Sequence, residues 1–151
     1  MITYTTGNIL TADVEALVNP VNCVGIMGAG LALQFKQSFP GNFNAYAIAC
    51  KNKEVYLGSV FVFETKQMAN LHYIINFPTK NHWRDKSKIE DIEARLITLV
   101  AVIRQYNISS IAIPPLGCGL GGLSWAQVKR RIITAMVPLA DTQVIIYEPV
   151  K

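Results

Sequence analysis

The chain has few of the residues from which metal centres and disulfide frameworks are built. It contains three cysteines and two histidines among 151 residues. Cys23, Cys50 and Cys118 are too far apart in the sequence to form a paired-cysteine metal motif. An odd number of separated thiols is typical of a reducing compartment. We therefore expect no metal and no cofactor, and we expect the protein in the cytoplasm.

Long apolar runs and strong charge are also missing. No stretch approaches the roughly 18–20 consecutive apolar residues of a membrane span, and no segment has the pattern of a signal peptide, so we expect no membrane contact. The net charge of +4 permits a polyanionic partner without requiring one. With 51% hydrophobic residues the chain can form a substantial core, and we expect one domain over residues 1–151.

Two glycine-rich segments each follow a predicted strand and precede a predicted helix. The first, residues 25–30, lies between a strand at 16–22 and a helix that begins near Leu31. The second, residues 117–122, lies between a strand at 110–113 and a helix over about 125–137. Backbone N–H groups converge in such loops, and the helix N-terminus adds positive potential. Two such units predict a ligand held from two sides, such as a diphosphate with a sugar at each end.

Gly117, Gly119 and Gly122 also fit the glycine spacing of dinucleotide-binding dehydrogenases. That fold needs a further βαβ unit, but only 29 residues follow Gly122, enough for one helix and one strand. We therefore do not expect a dehydrogenase, although the anion-binding property of the loop is retained. A purely structural turn is an equally good interpretation of the loop taken alone.

The remaining periodicity completes an alternating pattern of strands and helices. Further strands are predicted at 2–5, 60–63, 73–77 and 144–147, and helices around 43–50 and 89–103. Ser87 with Glu90, and Ser124 with Gln127, fit capping boxes at two helix starts. The pattern predicts an α/β fold with three αβα layers around a mixed, mostly parallel sheet of about six strands. In such sheets ligands bind beyond the carboxyl ends of the strands.

Three segments, in order along the chain, resemble the macrodomain family. They are Asn19-Pro20-Val21-Asn22, Met27-Gly28-Ala29-Gly30-Leu31-Ala32 and Pro114-Pro115-Leu116-Gly117-Cys118-Gly119. Members of this family are three-layer αβα domains that bind ADP-ribose. The resemblance implies that Asn8 and Ile9 contact adenine, that Tyr147 lies beside it, and that Asn22 contacts the distal ribose. The full set of implied ADP-ribose contacts is Asn8, Ile9, Asn22, Met27, Gly28, Ala29, Gly30, Leu31, Pro115, Leu116, Gly117, Cys118, Gly119, Leu120, Gly121 and Tyr147.

The stretch Asn76-Phe77-Pro78-Thr79-Lys80-Asn81-His82-Trp83-Arg84 is similar to the DarG group, within the terminal ADP-ribose glycohydrolase branch. DarG antitoxins remove ADP-ribose from thymidine in DNA that the toxin DarT has modified. The resemblance implies a DNA ADP-ribosyl glycohydrolase with Lys80 as catalytic residue. It implies ADP-ribosylated single-stranded DNA as substrate, a DarT-like toxin as partner, and DNA contacts from Thr79, His82, Trp83 and Arg84. Eukaryotic members of the branch have an aspartate where this chain has Gly121.

Each of these residues also has a plain structural interpretation. Lys80 can be a solvated lysine at a strand end, and Asn8 and Asn22 can satisfy their own turns. Tyr147 can belong to the core, and the basic run 80–88 can be a solvated entry to a helix. Two other functions remain open for the chain as a whole. One is a non-catalytic ADP-ribose reader, and the other is a hydrolase of protein ADP-ribosyl esters or of O-acetyl-ADP-ribose.

Overall fold

The computed structural model describes residues 1–150, which form one six-stranded sheet. The strand order is β1-β6-β5-β2-β4-β3. Every neighbouring pair is parallel except β3 and β4, which are antiparallel. This confirms the predicted mixed, mostly parallel sheet. The strands are β1 Ile2–Thr5, β2 Ala16–Val21, β3 Phe61–Met68, β4 Leu71–Pro78, β5 Ser110–Ile113 and β6 Gln143–Tyr147.

Four helices cover both faces of this sheet, which confirms the three-layer αβα fold. Because side chains alternate along β2, Val18 joins the core under α3 and α4, whereas Leu17 packs with Phe35 of α1 on the other face. No helix within residues 1–150 is long and apolar enough to cross a membrane. The helices are α1 Gly30–Ser38, α2 Pro40–Lys51, α3 Ile89–Gln105 and α4 Trp125–Met136, and a single 3₁₀ turn spans Ile9–Thr11.

The path of the chain places a crevice at the carboxyl end of β2. After β2 the chain forms β3 and β4 on one side of this strand, and then crosses to form β5 on its other side. Strand order therefore reverses at β2, and parallel α/β sheets bind ligands at such a point, beyond the strand ends. The segments that follow Val21, Pro78 and Ile113 all lie at this edge.

At the opposite edge, Glu15 links the beginnings of the three central strands. Its carboxylate accepts a hydrogen bond from the Ser109 N–H at 2.8 Å and lies 2.9 Å from the His72 Nδ1. Its backbone carbonyl accepts from the Tyr73 N–H at 3.0 Å. One residue thus connects β2 to β4 and to the entry of β5, far from the crevice.

The helix start predicted at Ser124 is confirmed, but the capping boxes predicted at Ser124 and Ser87 are not formed. Ser124 stands at the N-cap of α4 but makes no side-chain cap hydrogen bond. At α3 the N-cap is Lys88 rather than Ser87. The physical reason at Ser87 is burial, because its side chain is only 6% exposed and packs against glycines instead of facing the helix end.

Candidate active site

A cleft of about 660 Å³ crosses the carboxyl ends of β4, β2, β5 and β6. That volume is typical of sites for small-molecule ligands. Lys80 follows β4 and Pro149 follows β6, three strand spacings away, so the cleft extends about 14 Å along this edge. Its lining is Pro20, Val21, Asn22, Ile26, Gly28, Ala29, Gly30, Leu31, Ala32, Thr79, Lys80, Trp83, Pro114, Pro115, Gly117, Cys118, Gly119, Leu120, Gly121, Leu123, Trp125 and Pro149.

One wall is the first glycine loop (residues 22–30), and Asn22 organises it. The Asn22 side-chain oxygen accepts a hydrogen bond from the Val24 N–H at 3.0 Å, and its amide donates to the Ile26 carbonyl at 2.8 Å. The Tyr46 hydroxyl lies 2.7 Å from the same oxygen. Asn22 therefore satisfies its own turn, which was the structural interpretation of this residue. It also lines the cleft. Its contact with the distal ribose stays a prediction.

The outer half of the first glycine loop leads into α1. Met27 is 1% exposed and packs with Tyr46 in the core, so its side chain anchors the loop and does not line the cleft among the described residues. Ala29 is the N-cap of α1 and makes no side-chain cap hydrogen bond. The backbone N–H groups of the first helical turn therefore remain available to an anion in the cleft.

The opposite wall is the second glycine loop (residues 114–123), a succession of tight turns. Leu116 is fully buried and anchors it, so the side chain of this predicted ligand contact faces the core. Gly117 has φ +73°, a conformation that side chains disfavour, and its carbonyl accepts from the Leu123 N–H at 2.9 Å. Turns of this kind expose backbone N–H groups toward one side, which suits phosphate oxygens.

Gly121 has no room for a side chain. A Cβ atom there would lie 2.4 Å from the Ser87 Oγ and 2.5 Å from the Gly117 carbonyl oxygen. An aspartate cannot occupy this position in the backbone conformation observed. The chain has a glycine where the resemblance places the aspartate of eukaryotic members, and the surrounding atoms leave no room for that carboxylate.

The lysine segment (residues 79–88) forms the end of the cleft beyond β4. The Thr79 N–H donates to the Val21 carbonyl at 2.9 Å, and the Cys23 N–H donates to the Asn81 carbonyl at 2.8 Å. These bonds hold the lysine segment against the first glycine loop, where the Cys23 thiol lies 3.8 Å from the Lys80 carbonyl oxygen, and both Asn22 and Lys80 line the cleft. Partial burial lowers the pKa of Lys80, the Lys86 ammonium lowers it further, and the Asp85 carboxylate acts in the opposite direction.

Trp83 lies at the mouth of this end of the cleft and is 44% exposed. The His82 ring is 5.1 Å from the indole, centre to centre, and the Arg84 guanidinium carbon is 4.6 Å from the centre of the indole ring. His82 and Arg84 do not themselves line the cleft in the part of the chain that the structure describes. The arrangement is an accessible aromatic side chain accompanied by a cation.

The far end of the cleft contains Trp125 and Pro149, which the sequence patterns did not assign to the site. The Trp125 indole N–H donates to the Glu148 carboxylate at 3.2 Å, and the Lys129 ammonium lies 2.9 Å from the same oxygen. Hydrogen bonds from Lys129 and Trp125 lower the pKa of Glu148. From the sequence alone, Trp125 is simply the first residue of the predicted helix over about 125–137. Its place directly after the glycine-rich stretch was the available signal. The other unpredicted lining residues are Pro20, Val21, Ile26, Ala32, Pro114 and Leu123.

Three predicted adenine contacts lie outside the cleft lining within residues 1–150. Asn8 caps the 3₁₀ turn, and its side-chain oxygen accepts from the Leu10 N–H at 3.0 Å. Ile9 is 4% exposed, and Tyr147 packs against the same core cluster. The structure thus gives each of them a structural role, and their contact with adenine stays a prediction.

The cysteines and acidic residues provide no further chemistry at the cleft. Burial raises the pKa of Cys118 to about 11, so this cleft residue is a neutral thiol at physiological pH. A small neutral side chain here permits close approach of a ligand to the loop. Within residues 1–150, no three histidine, cysteine, aspartate or glutamate side chains are grouped so as to hold a metal ion.

Residues 18–132 match the family model described as Macro domain. The chain is 54% identical over 149 residues to a DNA ADP-ribosyl glycohydrolase of Mycobacterium tuberculosis, covering 99% of this chain and 42% of that protein. It spans about two fifths of the length of the curated relatives it matches, 42% in each of the first three.

Two solved structures extend the similarity to three dimensions. The macrodomain of Mycobacterium tuberculosis DarG superposes with a TM-score of 0.97 at 54% identity, covering 99% of each chain. Thermosipho africanus DarTG in complex with ADP-ribose superposes with a TM-score of 0.90 at 30% identity, covering 99% of this chain and 43% of that one. The chain therefore belongs to the macrodomain family, in the group of the DarG macrodomains.

Proposed function

We propose that this protein is a DNA ADP-ribosyl glycohydrolase, a hydrolase that removes ADP-ribose from thymidine in DNA. The observation that carries the proposal is that Lys80 and Asn22 line the same cleft, which has a glycine loop on either side. The curated relatives that share half of its residues have this activity as their name. The Thermosipho africanus structure contains ADP-ribose, which supports the same ligand here.

In the proposed complex ADP-ribose has one orientation. The diphosphate lies between the N-terminus of α1 and the second glycine loop, where backbone N–H groups are available from both sides. The distal ribose then points to Lys80, and the adenosine extends toward Trp125 and Pro149 at the other end. Helix and loop dipoles neutralise part of the diphosphate charge in this arrangement.

The reaction breaks the bond between C1″ of the distal ribose and a thymine nitrogen. The bonding electron pair leaves with the thymine, so negative charge develops on the base while the ribose becomes electron-poor. In the proposed mechanism the Lys80 ammonium stabilises that negative charge and supplies a proton to the departing base. Water adds to C1″ and passes one of its protons to Lys80, which restores the ammonium, and the products are free ADP-ribose and unmodified DNA.

The lowered pKa of Lys80 supports a second route at the same atom. A lysine whose pKa falls has a larger neutral fraction, and a neutral amine can attack C1″ and form a covalent intermediate that water then releases. Sodium cyanoborohydride reduces and traps the Schiff base derived from such an intermediate. A trapped protein whose mass is increased by ADP-ribose identifies this route, and the absence of a trapped adduct under turnover identifies the electrostatic route.

The exposed side of the lysine segment suits a single strand of DNA. Stacking of a base on an indole contributes about 1–3 kcal/mol, and Trp83 is accessible at the point where the thymine would emerge from the cleft. His82, beside Trp83, would contact the same base, and the exposed side chains of Arg84, Lys86 and Lys88 would meet phosphates. Thr79 is only 5% exposed, so its contact would be made from the cleft lining. The DNA contacts predicted from the sequence thus remain part of the proposal.

Hydrolysis of protein-linked esters is the second candidate, and one observation counts against it. More distant relatives at 24–26% identity are named ADP-ribose glycohydrolase, but the steric closure at Gly121 leaves this chain without the carboxylate of the eukaryotic branch. A non-catalytic reader would bind ADP-ribose without needing Lys80 in the cleft.

One assay separates these functions. The protein is incubated with a thymidine-ADP-ribosylated oligonucleotide, with an ester-linked ADP-ribosylated protein and with O-acetyl-ADP-ribose, and released ADP-ribose is measured. We expect release from the oligonucleotide only. Release from the ester substrates alone identifies the second candidate, and binding of free ADP-ribose without any release identifies a reader.

We further propose that the protein counteracts a DarT-like toxin as an antitoxin, that residues 1–151 act as one domain, and that it works in the cytoplasm. The three cysteines are free thiols, which supports a reducing compartment. Co-expression with a thymidine-modifying DarT toxin tests the antitoxin role. Cell growth should be restored by the intact chain and not by its Lys80→Ala variant.

A further inference from the structure

The lysine segment is held at both ends, and the two ends belong to different walls of the cleft. Near its start, the Asn81 carbonyl accepts a hydrogen bond from Cys23 of the first glycine loop. Near its end, the Ser87 N–H donates to the Gly121 carbonyl of the second glycine loop at 3.1 Å. Residues 83–86 between these attachments are exposed. The attachment at Ser87 therefore connects Lys80 to the loop that we assign to the diphosphate.

Ser87 occupies the space that two glycines leave empty. A Cβ atom on Gly117 would lie 3.1 Å from the Ser87 Cβ, and one on Gly121 would lie 2.4 Å from its Oγ. The Ser87 side chain is 6% exposed, and its hydroxyl oxygen has no hydrogen-bond partner among residues 1–150. Its role is therefore one of shape, because the hydroxyl contributes volume at a tight junction and no described hydrogen bond.

We propose that Ser87 is a positioning residue for Lys80, because its close packing against Gly117 and Gly121 makes the lysine segment and the second glycine loop move as one unit. A diphosphate that orders the second glycine loop thereby sets the position of Lys80 relative to the distal ribose. This inference rests on the proposed glycohydrolase function and names the residue through which ligand binding prepares the catalytic group.

The two partners of this junction differ in how firmly they are held. The second glycine loop is anchored by Leu116, with no exposed surface, and leads into α4, where Val128 is also fully buried. The lysine segment lies on the surface between its attachments. An extra atom at position 87 should therefore displace the lysine segment and leave the diphosphate loop in place.

Three variants of Ser87 test the proposal by separating turnover from binding. Ser87→Val replaces the hydroxyl with a methyl group and adds a second methyl group at the junction, Ser87→Gly removes the packing, and Ser87→Ala removes only the unpartnered hydroxyl. We expect kcat for release from the thymidine-modified oligonucleotide to fall at least tenfold in the valine and glycine variants, with the Kd for ADP-ribose changed less than threefold. The alanine variant should keep kcat within threefold, because the Cβ contact remains. Ser38→Val, at the exposed end of α1, is the matched control.

A second measurement does not depend on turnover. ADP carries the diphosphate without the distal ribose, so it reaches the second glycine loop and not Lys80. We expect ADP to slow hydrogen exchange at the Ser87 amide, measured by NMR, in the wild-type and alanine proteins and not in the glycine variant. Thermal unfolding verifies that each variant is folded. If the valine variant does not fold, the glycine variant alone tests the positioning role of Ser87.

The outcomes separate this proposal from the proposed function. A glycine or valine variant with kcat within threefold of wild type would overturn the positioning role, and so would equal losses in kcat and in ADP-ribose affinity. Absence of slowed exchange at Ser87 with ADP in the wild type would also overturn it. If the wild type releases no ADP-ribose from thymidine, the proposed function fails, and the exchange measurement alone then decides whether Ser87 couples the two segments.

Discussion

The Tyr46 hydroxyl lies 2.7 Å from the side-chain oxygen of Asn22, and this contact joins a buried residue of α2 to the loop that forms one wall of the cleft. The same hydroxyl lies 2.9 Å from the Asn22 backbone carbonyl. Tyr46 has no exposed surface and packs beside Met27. The conformation of the first glycine loop is therefore set from within the core, before any ligand binds.

Tyr46→Phe removes this hydroxyl and keeps the ring. We expect the free energy of unfolding to fall by about 1–2 kcal/mol, because Asn22 loses a buried donor, and the affinity for ADP-ribose to fall as the loop loosens. Urea denaturation and calorimetry measure the two effects. Tyr56→Phe, at a residue that is 58% exposed, is the control. An equal loss of stability in both variants would contradict the structural role assigned to Tyr46.

Lys80→Ala should abolish release of ADP-ribose from the modified oligonucleotide and leave the Kd for free ADP-ribose within several-fold. The reason is that in the proposed mechanism the ammonium acts on the departing base, whereas most of the cleft lining belongs to the two glycine loops. Product release is measured by chromatography and binding by calorimetry. Near-normal turnover by this variant would remove Lys80 from the mechanism.

The pH dependence of kcat follows from the environment of Lys80. Its pKa is lowered by burial and by Lys86, so an enzyme that uses the ammonium form should be active below that pKa and lose activity as the pH rises through it. The loss should occur below pH 10.4, about the pKa of an ordinary lysine. Lys86→Met removes one of the causes, raises the pKa of Lys80, and should move the alkaline limb to higher pH. An activity that instead rises through this range would show that the neutral amine is the reactive form.

Glycine substitutions in the second glycine loop should differ in effect by position. Gly121→Ala places a Cβ atom against the Ser87 Oγ and a backbone carbonyl, so we expect a loss of roughly 1–3 kcal/mol in the free energy of unfolding. A Cβ atom on Gly119 meets no atom within 4 Å, so Gly119→Ala should change stability by less than about 0.5 kcal/mol. Denaturant unfolding of both variants gives the comparison, and equal stabilities would show that the loop adjusts freely.

Binding of modified single-stranded DNA should depend on salt and on Trp83. We expect Trp83→Ala to weaken binding by about 1–3 kcal/mol at every salt concentration, because a stacking contact is lost. Arg84→Ala should instead reduce the slope of log K against log salt by about 0.7, the value for one phosphate contact on a single strand. Fluorescence anisotropy at several salt concentrations measures both. An affinity that is independent of salt would exclude phosphate contacts by this segment.

The elements that the sequence predicted correctly are those with strong local chemistry. The helix expected near Leu31 begins at Gly30, and the strand expected at 110–113 spans Ser110–Ile113. Apolar runs followed by glycines and then by helical periodicity specify such units without reference to the rest of the chain. Both glycine-rich segments consequently lie on the walls of the cleft, as their pattern indicated.

What the sequence could not provide is the contact between distant segments. The capping box at Ser87 was locally convincing, but tertiary packing against Gly117 and Gly121 determines the place of this side chain. Pro149 is brought to the far end of the cleft by the pairing of β6 with β5, which no local pattern encodes. For this reason Pro149 could not be predicted from the sequence.

Glu15 gives the sheet a fixed point at the edge remote from the cleft. Since β2 has six residues, this carboxylate lies about 20 Å from the carboxyl end of the strand. Because Glu15 bonds to the beginnings of the neighbouring strands, the three central strands have little freedom to slide past one another. The distance between the two walls of the cleft is fixed accordingly. Substitutions at Glu15 or Ser109 would therefore change the width of the cleft and its affinity for a ligand, although both residues lie at the opposite edge of the sheet.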